Sequence, residues 1–114
     1  MNATPDDSPS LIPALPGYRS VSPEELQLIG AIKAHEQETL RLLHDVRAHL
    51  AKQDGAARRS VEPGMTHAGF AEAERELARL IDAEPLRWHS IARTELQQGF
   101  MALVRAVAQP RTQA

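Results

Sequence analysis

Few side chains in this sequence can grip a ligand. Tyr18-Arg19 follows Pro16-Gly17. A tyrosine ring can stack on a nucleobase and an arginine can bind a phosphate, but the same pair can also pack locally against the start of the next helix. Lys33 falls on a mostly apolar helical stripe. There an ammonium either lies at the edge, its stem snorkelling to water, or faces a pocket and meets an anion. Arg93, Thr94, Gln97 and Gln98 follow His89 in a polar series, with Arg93 and Gln97 on one helical face and Thr94 and Gln98 on another. Such a series can offer donors to phosphate oxygens and base edges, or form an ordinary solvated face.

Other chemistry is not spelled out. Of the five histidines, His44 and His49 are spaced so that they diverge on a helix, and no H-E-x-x-H pattern occurs. Histidines from several subunits would have to meet to bind a metal. There is no phosphate-cradling glycine loop and no nucleophile elbow. Glu72 and Glu76 are interleaved with Arg75 and Arg79, as on a solvated helix face. No catalytic residue, metal ligand set or cofactor is therefore expected. A nuclease, the third option after a ligand binder and an interaction module, would need a metal or catalytic cluster that the sequence does not supply.

The elements that position these groups are helical. Pro5, Pro9, Pro13 and Pro16 break the first 17 residues into an expected flexible arm. Ser22-Pro23-Glu24-Glu25 reads as a capping box with proline at the first helical position. The first helix is expected from Pro23 to about Gln53, ended by Asp54-Gly55. Residues 56 to 65 read as a loop, since they hold Arg58, Arg59, Pro63 and Gly64. Phe70, Ala73, Leu77, Leu80 and Ile81 mark a second helix over residues 67 to 83. Pro85 interrupts it, and a third helix runs from about Pro85 to Ala108, stopped by Gln109-Pro110. No strand signal appears.

In the first helix, Leu26, Ile29, Leu40, Leu43 and Leu50 share a stripe with Lys33, Glu36 and Arg47. Leu28 and Ile32 widen it, and Gly30 between them is either a point of close approach or a tolerated weak spot. Phe100 to Ala108 is apolar nearly all round except for Arg105. One partner helix covers only part of such a circumference, so contact with further subunits is expected.

Composition narrows the class. A chain of 114 residues predicts one domain with a modest core, for which self-association is reasonable. A net charge of -2 argues against a general binder of DNA or RNA, but a small anion needs only a few cations. With no cysteine, disulfides and thiolate metal sites are impossible. No apolar run approaches the roughly 20 residues of a membrane span, so a soluble intracellular protein is expected.

Two blocks carry a resemblance to a known family. Tyr18-Arg19-Ser20-Val21-Ser22-Pro23-Glu24-Glu25, with Ile32-Lys33, and the long segment from Arg87-Trp88-His89 to Ala108-Gln109-Pro110 resemble the helical-hairpin domain of phage anti-defence sponges. That family is similar in two branches: anti-CBASS proteins that hold cyclic dinucleotides and trinucleotides, and anti-Thoeris proteins that hold a cyclic ADP-ribose isomer. The resemblance covers roughly residues 18 to 53 and 85 to 110. It implies an all-α antiparallel helical hairpin with an additional helical segment, assembling as a homo-oligomer, in the family a homohexamer. It implies domain bounds of 1–17 for the arm, 18–110 for the hairpin and 111–114 for a tail. It implies that Tyr18 stacks on a base of a cyclic dinucleotide and that Lys33 reaches a phosphate, with Arg19 beside them. It further points to Arg93, Thr94 and Gln97 for a cyclic trinucleotide. The anti-CBASS branch is expected to fit better, since an extra N-terminal domain of the anti-Thoeris kind is not expected, and action in the cytoplasm of an infected bacterium is the expectation that follows.

Overall fold

The computed structural model describes residues 19–61 and 66–110. The arm, Tyr18, residues 62–65 and the tail lie outside the described residues. All regular structure among the described residues is helical: α1 (Pro23–Arg59), α2 (His67–Ala83) and α3 (Pro85–Ala108). The all-α expectation holds.

The start of α1 is built as the sequence predicts. Glu25 N–H donates to Ser22 Oγ at 3.1 Å, and Ser22 N–H donates to the Glu25 carboxylate at 2.8 Å. Two otherwise orphaned donors are thus satisfied reciprocally. Val21, just before the cap, is buried.

The expected end of α1 at Asp54-Gly55 is wrong. The helix continues to Arg59, and Gly55 keeps a helical backbone. Glycine weakens a helix interior by about 1 kcal/mol. Here Asp54 accepts from Arg58 Nε at 2.9 Å in an i,i+4 pair, and Ala57 is buried. Together with the strong helix formers Ala56 and Ala57, these contributions offset the glycine.

The other bounds fall where the sequence places them. Thr66 has extended φ and ψ of -65 and 155, and its Oγ1 accepts from Gly69 N–H. Glu84 takes the left-handed conformation, φ 50, and its N–H donates to the Leu80 carbonyl. Its own carbonyl then accepts from Arg87 and Trp88, so one residue closes α2 and opens α3. Pro85 at the first position of α3 forfeits no hydrogen bond there. Gln109, also left-handed at φ 48, donates to Arg105 O at 2.8 Å and closes α3.

The chain divides into two compact units, Met1–Glu38 with Leu96–Ala114, and Thr39–Glu95. In the first, Arg19 binds the carbonyl of Val107 while Lys33 and Glu36 share a groove with Phe100 and Val104. That order makes the two helical segments antiparallel. In the second, His89 binds the carbonyl of Leu43, and α2 presents a groove of about 690 Å³ past Val61, Phe70, Leu77 and Ile81. No described side chain is completely buried. Leu28, Leu42, Met101 and Trp88 are more than half exposed, which leaves the apolar surface that the sequence assigns to further contacts. Among the described residues, no helix is long and apolar enough to cross a membrane.

Candidate ligand-binding groove

Lys33 lines a groove of about 230 Å³ in the first unit. Glu36 stands beside it on α1, and Phe100, Met101, Val104 and Arg105 face it from α3. Helical spacing puts Lys33 and Glu36 on one side of α1, and Phe100 and Val104 on one side of α3. The Lys33 ammonium lies 3.7 Å from the Glu36 carboxylate. Its side chain is 61% exposed whereas that of Glu36 is 21% exposed. The charge therefore sits at a solvent edge, and that edge is the mouth of a groove. An apolar floor with cations at its rim suits a flat heteroaromatic ring joined to an anion. The volume is below the roughly 300 Å³ of a pocket that engulfs a drug-sized ligand, so the groove has room for a part of one.

Arg19 lies in the same unit and is already engaged. Its Nη2 donates to the Glu25 carboxylate at 2.9 Å and to the carbonyl of Val107 at 2.9 Å, and Nη1 reaches Glu25 and Ser20. The fork binds one of the last carbonyls of α3, which lacks an onward helical partner. Hydrogen bonds from Arg19, and then from the Ser22 backbone, push the Glu25 carboxyl down to about 2. The guanidinium is in turn held more firmly protonated by the hydrogen bond to Glu25. Arg19 is thus a clasp between the residue run before α1 and the end of α3, a contact the sequence reading missed. The capping-box carboxylate of Glu25 was the available signal.

The remaining expected site residues divide. Arg93, Thr94 and Gln97 are all exposed on α3. Arg93 lines a second cavity, with Arg47 and His89, and Thr94 and Gln97 line neither this cavity nor the Lys33 groove. Tyr18 lies outside the described residues. His89, grouped by sequence with the polar series, is buried at 8% exposure, with Nε2 2.7 Å from Leu43 O. A carbonyl can only accept, so Nε2 carries the proton. Among the described residues, no group of three or more histidine and acidic side chains is placed to hold a metal ion.

This is a helical-hairpin protein with a cation-rimmed apolar groove. The sequence model of the Acb2/Tad1 hairpin domain matches residues 52–108, from the last part of α1 through α2 and α3. A relative called anti-CBASS protein 2, from Pseudomonas phage JBD67, is 39% identical over 99 residues, covering 82% of this chain and 89% of the relative. The chain belongs to the Acb2/Tad1 hairpin family, the anti-CBASS sponge family that its two sequence blocks resemble.

Proposed function

We propose that this chain is a phage anti-CBASS protein that sequesters cyclic oligonucleotide messengers and leaves them chemically intact. The observation that carries this reading is the Lys33 groove, with its apolar floor and its exposed ammonium at the rim, in a chain of the anti-CBASS sponge family. Tyr18 supplies a stacking face for a base of a cyclic dinucleotide and Lys33 binds its phosphate. Arg19, next in the chain, holds the local backbone by its clasp on Glu25 and Val107. Arg93, Thr94 and Gln97 contribute to a cyclic trinucleotide site completed by other subunits. The exposed apolar residues of the first unit, Leu28, Met101 and Leu103, supply the contacts of a homohexamer. Binding lowers the free messenger in the cytoplasm of the infected bacterium, and the CBASS effector stays inactive.

The same exposed residues favour a second reading, a helical module that binds another protein. A thermal-shift screen against cyclic dinucleotides, cyclic trinucleotides and the Thoeris cyclic ADP-ribose signal separates the two. A ligand that binds the folded state raises its stability. A rise with cyclic di- or trinucleotides is the expected result. A rise with the cyclic ADP-ribose isomer alone would move the protein to the Thoeris branch. No rise with any of them would leave the interaction module.

A further inference from the structure

A second cavity, of about 220 Å³, lies wholly within the unit Thr39–Glu95, and its charge is one-sided. Arg47 and His44 reach it from α1, His89 and Arg93 reach it from α3, and Leu40 and Leu43 complete the wall. No carboxylate lines it. Asp45, the acidic residue nearest in the chain, pairs with His44 at 3.6 Å from outside the lining. Arg19, Arg58, Arg79 and Arg87 each hold a carboxylate. Arg47 and Arg93, like Arg41, Arg59, Arg75 and Arg105, hold none among the described residues, and what sets them apart is that both line one cavity with no carboxylate in its wall. Two unmatched guanidiniums facing one cavity repel each other, and an anion between them converts that repulsion into attraction. The His89 ring is fixed by its bond to Leu43 O, so it needs no further ordering to serve as part of the wall.

We propose that this cavity is a phosphoryl-anion site, with Arg47 and Arg93 as its two binding residues from facing helices. The forked guanidinium matches the several acceptor oxygens of a phosphoryl group, and the space accommodates a phosphate or pyrophosphate but not a whole dinucleotide. Arg93 is common to this site and to the trinucleotide reading above, but the inference does not rest on that reading. It stands if the Lys33 groove binds nothing. The phosphoryl group can come from free phosphate or pyrophosphate, or from the phosphodiester of a cyclic nucleotide.

Calorimetric titration of the full chain at constant ionic strength tests the site, using pyrophosphate in one arm and a cyclic trinucleotide in the other. The variants are Arg47→Ala and, as a control for net charge, Arg41→Ala. Arg41 is exposed on the same helix and does not line the cavity. Loss of one charge-assisted contact predicts about tenfold weaker binding in Arg47→Ala and no change in Arg41→Ala. A loss toward the cyclic trinucleotide, with or without one toward pyrophosphate, identifies the phosphodiester as the source. A loss toward pyrophosphate alone identifies free phosphate. No binding of either probe by the wild type, equal affinities in wild type and Arg47→Ala, or equal losses in the two variants would overturn the proposal.

Discussion

The Lys33 groove and the Arg47 and Arg93 cavity solve different problems. The Lys33 groove has the guanidinium of Arg105 and an ammonium matched to Glu36, and Phe100, Met101 and Val104 form much of its wall. The Arg47 and Arg93 cavity is about as large, with two unmatched guanidiniums and a fixed imidazole. An apolar wall and a partly compensated charge favour a ring with a phosphate attached. Uncompensated charge favours the phosphate itself. Similar volumes therefore do not mean similar ligands; what decides is how much apolar wall stands beside the charge and how much of the counter-charge the protein supplies.

Breaking the Lys33 groove should produce the largest effect. Tyr18→Ala and Lys33→Ala are each expected to weaken cyclic dinucleotide binding by about tenfold to a hundredfold, from a stacking or charged contact of about 1–3 kcal/mol. Calorimetry with pyrophosphate should show no change in the same variants. A parallel loss there would mean that the two cavities are not independent. Next comes His89→Ala, which removes a buried ring and its bond to Leu43 O. A loss of about 2 kcal/mol is expected in urea unfolding. A neutral result would mean that the ring does not brace the Arg47 cavity.

Gly30 bears on the other unit. A Cβ built there meets nothing within 4 Å. Gly30→Ala should therefore stabilise the isolated chain by about 1 kcal/mol through helix propensity. A melt that shows destabilisation instead would reveal a second molecule pressing on that face.

The smallest effect is that of acid on the Arg19 clasp, because the pair is partly exposed and solvent screens it. Glu25 is depressed to about 2 in the fold, against about 4.3 for a free glutamate. Its contribution is thus fully present above the unfolded value and is lost as pH falls through about 2. Stability of the wild type should drop more steeply than that of Glu25→Gln across this acid window.

Much of this was legible in sequence wherever the signal was local. Ser22 with Glu25 and Gln109-Pro110 each mark a helix bound that their own backbone bonds then make, and Pro85 marks the break between α2 and α3. Asp54-Gly55 misled because the left-handed stop it suggests competes with an Asp54–Arg58 pair and the burial of Ala57. The Lys33 position was legible as a charge on an apolar stripe. Its partner wall was not, because residues far apart in sequence create the groove. Arg47 looked like a charge at a stripe edge and His89 like part of a polar face, and only the pairing of α1 with α3 in that unit joins them.

The central claim is capture without cleavage. Purified protein is mixed with a cyclic dinucleotide, filtered free of unbound ligand, denatured, and the released nucleotide is separated by chromatography. The account predicts that intact cyclic dinucleotide is recovered from the wild type and little is carried by Lys33→Ala. A linear product, or no retained nucleotide with the wild type, would contradict it.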